Sequence, residues 1–279
     1  MTTIYKPADA GFDVRLDVAD RAGLALLREL AAQYGLRLTL KGGMAMRVAF
    51  GSSRLTRDLD FDRDASLSLD SLGNGLPRAL ERAARSAGIA EPKAEITKRT
   101  GTTVRARLTG RGAGAEPVRI EIEISGRLPL PTQYRRPELV VTPQGYGMAP
   151  FTIQTYTNDA LAATKALALM APMRNVPRDV YDLHKLVLAG ADAAALLAEI
   201  DDPAHLKEMG EGAFTKVGLI GFELAKSELL PYLPLAEREA VDEDAWLEMC
   251  LAVAQAVEQW AGMALDLRHG AAAKGARKR

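Results

Sequence analysis

The stretch from Leu40 to Phe61, Leu-Lys-Gly-Gly-Met-Ala-Met-Arg-Val-Ala-Phe-Gly-Ser-Ser-Arg-Leu-Thr-Arg-Asp-Leu-Asp-Phe, constrains this chain more than any other. Leu36 to Leu40 alternate in polarity and read as a strand, and Gly42 and Gly43 break it where a short helix, Met44–Phe50, begins. Two residues without Cβ let the backbone come close to a ligand, and the N–H groups that open a helix attract phosphate oxygens. Beyond a polar loop, Asp58 and Asp60 alternate with Leu59 and Phe61, and a strand's period of two puts both carboxylates on one face. Two carboxylates a few ångströms apart repel, so such a pair usually serves to hold divalent cations or to share a proton. A phosphate cradle facing a metal-holding Asp-x-Asp is what nucleotidyl transfer requires.

At 279 residues the chain has room for one large domain or two modest ones. Hydrophobic residues make up 48% of it and aromatic residues only 5%, so the core is expected to be built from Leu, Ala, Val and Ile. The 36 basic and 36 acidic side chains cancel, which argues against a generally basic RNA-coating protein while leaving room for a local patch. A single cysteine, Cys250, excludes an internal disulfide framework and fits a reducing cytosol. The three histidines, His184, His205 and His269, are too dispersed for a His/Cys zinc site. The N-terminus lacks a secretory core and no long uncharged apolar run is present, so the expectation is a soluble, cytoplasmic protein without a membrane partner.

Along the chain, residues 1–17 read as a loosely held polar arm and Val18–Gln33 as an amphipathic helix with Leu24, Leu27, Leu30 and Ala31 on one face. After the Asp-x-Asp strand comes a helix over Leu69–Ala87, with Gly88 as its stop. Three strands follow, Lys93–Lys98, Thr103–Leu108 and Val118–Ser125, then a proline-punctuated stretch with one strand at Glu138–Val141. From Asn158 the composition turns helical: Asn158–Met170, Arg178–Ala189, Asp192–Ile200, Pro203–Leu229 with a break near Gly210–Gly221, and Asp242–Leu267. The expected organisation is an α/β domain over 1–150, an all-helical domain over 151–268 and a basic, flexible tail over 269–279.

Two further places carry charge where a purely structural role would be costly. In Arg119-Ile-Glu-Ile-Glu-Ile-Ser125 the isoleucines cover one strand face, while Arg119, Glu121 and Glu123 project from the other. If this strand neighbours Asp58 and Asp60, one glutamate becomes a third acid; otherwise the face is a solvated one with cross-strand ion pairs. On the helix from Asn158, Lys165 falls inside an apolar stripe with Leu161, Thr164, Ala168 and Leu169, so it must snorkel or meet an anion. On the next helix Asp179 and Asp182 share a face, and Arg178 stands four residues before Asp182. The plain alternative there is an intrahelical salt bridge plus an acid facing the helix dipole.

Lys98, Arg99, Arg105, Arg107 and Arg111 cluster on an expected hairpin, with Arg82 and Arg85 on the helix before it. Such a ridge either guides an RNA backbone or is a solvated, charge-protected edge, and no interleaved aromatic residue supports base stacking. Met44, Met46 and Cys250 read as core.

The ordered set Lys-Gly-Gly-x-Ala-Met, Arg-x-Thr-x-Asp-Leu-Asp-Phe, a helical lysine and Arg-Asp-x-Tyr-Asp-Leu resembles the AbiEii-type nucleotidyltransferases. These are the toxin halves of AbiE-like toxin–antitoxin systems, related to the MenT toxins of mycobacteria. The likeness runs from about Leu40 to Leu188. It implies a nucleotidyltransferase-type α/β fold, a mixed sheet flanked by helices, followed by a helical domain, with the cleft between them. It further implies that Gly42 and Gly43 form the phosphate-binding turn with Lys41 beside it. Arg54 and Thr56 would line the nucleotide side of the loop. Asp58, Asp60 and Glu123, with Glu121 as fallback, would hold magnesium. Lys165 would contact the triphosphate, and Asp179 or Asp182 would hold that lysine or touch substrate. The implied reaction passes a nucleoside monophosphate from a nucleoside triphosphate to RNA, the 3′ end of tRNA by the resemblance, with a separately encoded antitoxin. The same chemistry on a small molecule such as an aminoglycoside, or a catalytically silent nucleotide-binding module, are the alternatives. Two departures stand out: Gly43 brings no hydroxyl to the turn, so phosphate contacts there fall to the backbone, and Pro177 shortens the second helix of the pair.

Overall fold

Alternation of polarity decides the sheet. A computed structural model of the chain describes residues 4–112, 114–126 and 129–276, the last six for their backbone alone. In order its main elements are α1 (Val14–Tyr34), β1 (Leu38–Lys41), α2 (Gly42–Phe50), β2 (Asp58–Arg63), α3 (Leu69–Ser86), β3 (Ala90–Thr100), β4 (Thr103–Arg111) and β5 (Pro117–Ser125). Then come β6 (Arg135–Val140), β7 (Phe151–Tyr156), α4 (Asn158–Met170), α5 (Pro177–Leu188), α6 (Ala194–Ile200), α7 (Pro203–Gly218), α8 (Phe222–Glu228), α9 (Leu235–Ala240) and α10 (Glu243–Ala276). By its internal contacts the chain divides into one unit of Met1–Tyr156 with Leu233–Ala236, and a second of Thr157–Tyr232 with Glu237–Arg279.

The first unit is a mixed α/β layer. Among the described residues its sheet has seven strands in the order β3-β4-β5-β2-β1-β7-β6. Strand β2 runs antiparallel to β1 and parallel to β5, while β1 runs parallel to β7. Leu59 and Phe61 of β2, Ile120, Ile122 and Ile124 of β5, and Val104, Ala106 and Leu108 of β4 are all buried, which assigns one face of these strands to the core. Helices α1 and α3 pack there, α1 against β5 and β7 and α3 against β3 and β4. Asp13 caps α1 by accepting from the Arg15 N–H at 2.7 Å, and Ser68 caps α3 by accepting from Ser71 at 3.1 Å.

Helix α2 is held from inside. Its Arg47 is fully buried and donates to both carboxylate oxygens of Asp20 on α1, at 2.7 and 2.9 Å, and to the Tyr5 carbonyl at 3.0 Å. Tyr146 closes the cluster with a 3.1 Å hydrogen bond to Asp20. A buried, bidentate pair like this is strongly destabilising to break, so the helix that follows the glycine turn is anchored.

The second unit is helical. Lys216 of α7 is buried and donates to the carbonyls of Ala171 and Pro172 at 2.8 and 3.1 Å and to Asn175 Oδ1 at 3.0 Å, pinning the linker after α4. A cation at a helix C-terminus also meets the negative end of the helix dipole.

Several expectations change. The N-terminal arm is shorter than 1–17, because α1 starts at Val14. The break expected near Gly210–Gly221 within Pro203–Leu229 falls at its far end, between α7 and α8, with Gly221 the N-cap of α8. Strand β7 was not expected at all, yet it is the parallel neighbour of β1. At the other end α10 continues past His269 to Ala276, and residues 277–279 of the expected tail lie outside the described residues.

Candidate active site

The glycine turn is shaped by what sits against it. Gly42 has φ +67°, and a Cβ there would stand 2.6 Å from Asp60 Oδ2. At Gly43 a Cβ would come 2.6 Å from Arg54 Nη2 and 3.1 Å from Thr56 Oγ1. Both glycines are therefore close-approach positions, one toward the acid strand and one toward the loop. That loop is tied down: buried Arg54 donates to the Leu55 carbonyl at 3.1 Å, and Thr56 Oγ1 accepts from the Asp58 N–H at 3.3 Å. Lys41, the N-cap of α2, offers no side-chain cap, so the helix's opening N–H groups face no capping oxygen of their own residue.

On the polar face of the sheet, strand register lines up two rows of charge. In the first, Lys41 of β1 pairs with Asp60 of β2, Asp60 with Glu123 of β5, Glu123 with Arg105 of β4, and Arg105 with Lys98 of β3. In the second, Asp58 pairs with Glu121, Glu121 with Arg107, and Arg107 with Glu95. Acids thus occupy the middle strands, β2 and β5, flanked by Lys41 on β1 and by Arg105 and Arg107 on β4. Asp58, Asp60, Lys98, Arg105, Arg107, Arg119, Glu121 and Glu123, with Thr97, line a cavity of about 560 Å³.

The glutamates are engaged. Arg105 Nε donates to Glu123 Oε2 at 2.9 Å and its Nη2 contacts the same oxygen, a hydrogen bond that raises the arginine further above its ordinary range. Glu121 Oε1 accepts from Arg107 Nε at 2.7 Å and from Arg119 Nη2 at 2.8 Å. Burial pushes the Glu121 carboxyl up, but the two arginines outweigh it and bring it below the usual range. Its other oxygen is buried without a hydrogen-bond partner.

The structure adds two residues that the sequence reading passed over. Asp62 continues the Asp58/Asp60 alternation, and it accepts from Lys41 Nζ at 2.5 Å and from the Tyr156 hydroxyl at 2.7 Å. Burial and the adjacent Asp62 push the Tyr156 phenol well above its ordinary pKa. Extending the strand's period by two more residues was the signal for Asp62. Lys41 is thus held along β2 by Asp62.

Every arginine of the expected basic ridge is ion-paired. Arg82 pairs with Glu29, Arg85 with Glu81, Arg99 with Asp70, Arg105 with Glu123, Arg107 with Glu121 and Glu95, and Arg111 with Glu91.

In the second unit Lys165 meets both candidate aspartates. Its Nζ donates to Asp179 Oδ1 at 2.9 Å and to Asp182 Oδ2 at 2.6 Å, and Arg174 Nε donates to Asp179 Oδ2 at 2.6 Å. The aspartates are 1% and 0% exposed. Burial pushes the Asp179 carboxyl up, yet Lys165 and Arg174 together hold it below the usual carboxylate range. The choice left open between Asp179 and Asp182 resolves into a shared clamp.

Fitness for a divalent cation follows from the donors. Asp58 and Asp60 are two hard oxygen donors from one strand face, and the missing Cβ of Gly42 keeps space at Asp60, so these residues fit such an ion. No group of three His, Cys, Asp or Glu side chains is gathered at metal-holding geometry among the described residues. Glu123, the third acid expected, stands beside Asp60 in register but is turned to Arg105.

Two solved structures share the architecture and a third is more distant. JHP933 from Helicobacter pylori aligns with a TM-score of 0.58 and 18% identity, over 96% of this chain and 100% of that one. A second H. pylori protein, solved as a candidate nucleotidyltransferase, aligns at 0.54 and 19%, over 92% and 97%. MenT4, a nucleotidyltransferase toxin from Mycobacterium tuberculosis, aligns at 0.46 and 16%, over 91% and 93%. At these identities the first two speak for the fold alone, and the third, at a TM-score below 0.5, carries no argument. No curated protein matches by sequence. The sequence model described as "Nucleotidyl transferase AbiEii toxin, Type IV TA system" matches residues 25–268, and so the chain belongs to the AbiEii family of nucleotidyltransferase toxins.

Proposed function

We propose that this nucleotidyltransferase moves a nucleoside monophosphate from a nucleoside triphosphate to a hydroxyl of RNA, the 3′ end of tRNA being the acceptor the family likeness suggests. An acceptor hydroxyl attacks the α-phosphorus, the bond to the β-phosphate oxygen breaks, and pyrophosphate leaves. The observation that carries the reading is the shared face of Asp58 and Asp60 set against the Gly42 turn at the start of α2. In this reading the turn and the opening N–H groups of α2 receive phosphate oxygens, with Lys41 beside them. Arg54 and Thr56 shape the loop on the nucleotide side. Asp58 and Asp60 would hold magnesium, which when bound neutralises phosphate charge and lowers the pKa of the attacking hydroxyl. Glu123 and Glu121 are the carboxylates of β5 nearest in register, candidates for the hydroxyl's proton. Lys165, with Asp179 and Asp182 orienting its ammonium, keeps the triphosphate role that the resemblance implies. The toxin–antitoxin description of the family supports a separately encoded antitoxin as protein partner. No helix among the described residues is long and apolar enough to cross a membrane.

A small-molecule acceptor is the second reading, and one observation favours it: every arginine of the expected RNA ridge is already ion-paired. The full chain, magnesium and each α-labelled nucleotide, incubated in turn with total RNA, with nuclease-treated RNA and with an aminoglycoside, separates the two. We expect label on small RNA that nuclease removes. Label on the aminoglycoside alone would move the assignment to the second reading, and no label with any acceptor would leave a silent nucleotide-binding module.

A further inference from the structure

Arg105 is the cross-strand partner of Glu123 at the edge of the acid pair. Glu123 has Asp60 as its register partner on one side and Arg105 on the other. Two carboxylates on neighbouring strands repel, and without a cation between them the pair is unfavourable. Both the Nε and the Nη2 of Arg105 converge on Glu123 Oε2, and the carboxylates of Asp58, Asp60 and Glu123 are not gathered into one group. Arg105 and Glu123 are nevertheless partly exposed at the wall of the cavity, 45% and 35% by side chain, so their partnership is open to exchange.

We propose that Arg105 is a displaceable counter-ion that takes the place of a divalent cation at Glu123 and yields to it. The inference rests on the cation site placed above at Asp58 and Asp60, and it assigns that site a regulation of its own. In the latched state the guanidinium neutralises Glu123 and lets the acid strands lie side by side. With a divalent cation held at Asp58 and Asp60, Glu123 would give up its bond to Arg105, and the guanidinium would be released at the cavity wall. There the freed guanidinium, with two parallel N–H donors, is a ready partner for a phosphate oxygen. Cation and phosphate occupancy are coupled through one side chain, and by linkage each favours the other.

The test uses the full chain and Mn2+ alone, with free Mn2+ followed by electron paramagnetic resonance. Arg105→Gln removes the competing cation and is expected to tighten Mn2+ binding about five-fold, the scale of one partly exposed ion pair. Arg105→Lys keeps a positive charge opposite Glu123 and should stay within about two-fold of the wild type. In Arg105→Gln/Glu123→Gln the gain should vanish. Unchanged or weaker binding in Arg105→Gln overturns the proposal, as does equal tightening by Arg105→Lys. Asp60→Ala separates the two levels. If it abolishes Mn2+ binding while Arg105→Gln leaves the affinity untouched, the latch alone fails. If Asp60→Ala binds like the wild type, the cation site fails and the latch with it.

Discussion

Replacing Gly42 by alanine probes the turn that the proposed site is built on. At φ +67° an L-residue sits in the left-handed region, which costs about 1–2 kcal/mol. The added Cβ would also stand 2.6 Å from Asp60 Oδ2, closer than such atoms approach, so the carboxylate must rotate or the turn must shift. Together these predict a melting temperature lowered by roughly 5 °C for a chain of this size. The effect on chemistry should be larger than the effect on stability. If Asp60 takes part in transfer as proposed, a displacement on the order of 1 Å is worth about a hundred-fold in rate, and Mn2+ affinity should fall alongside it. Gly43→Ala supplies the contrast, because its Cβ meets Arg54 Nη2 at 2.6 Å rather than an acid, so nucleotide affinity should suffer more than Mn2+ affinity. Thermal melts, Mn2+ titration and label transfer on the two variants together make the comparison. A folded Gly42→Ala protein with wild-type Mn2+ affinity and a rate within a few-fold of wild type would refute the link between turn and acid strand.

Lys165→Ala should destabilise the second unit by about 3–5 kcal/mol, since it removes the ammonium that two buried carboxylates share, and chemical denaturation reads this directly. An Asp182→Asn change in the same background should recover part of the loss. Asp179 predicts an acid dependence: its folded pKa is depressed, so its contribution is fully present above the ordinary carboxylate range near 4 and is lost as pH falls through the lower folded value. Stability measured between about pH 2 and 5 should therefore fall less steeply in Asp179→Asn than in the wild type. Burial raises the Cys250 thiol to about 11, so a thiol reagent at neutral pH should label it only after unfolding. Labelling of the native chain at the rate of a free thiol would contradict the buried placement.

Much of the first unit is legible from local pattern. The glycine break, the helix over α2 and the shared face of Asp58 and Asp60 follow from periods of two and 3.6 that any short window reveals. The condition set for Glu121 and Glu123, that β5 neighbour β2, is met by a pairing across some sixty residues that no local rule states. Strand β7 escaped notice for the same reason: six residues after a proline-rich stretch carry little pattern, and pairing with β1 defines them. The ion pairs of the arginine ridge were less legible, because most of the acids lie on other elements, Glu29 far before Arg82 and Glu123 eighteen residues after Arg105. Lys165 was readable as a cation in need of an anion, and its clamp by two aspartates depends on how α4 packs on α5. Arg47 sends the same signal, a charge in an apolar helix, and its partner Asp20 lies on α1.

The account stands on the acid face of β2 as the place where nucleotidyl transfer happens. Label transfer by the full chain with Asp58→Asn and Asp60→Asn, each compared with the wild type at equal folded concentration, tests that most directly. The account predicts that either change lowers the rate by about a thousand-fold or more while the melting temperature stays near the wild-type value. A folded variant of either aspartate that transfers label within a few-fold of the wild type would contradict it.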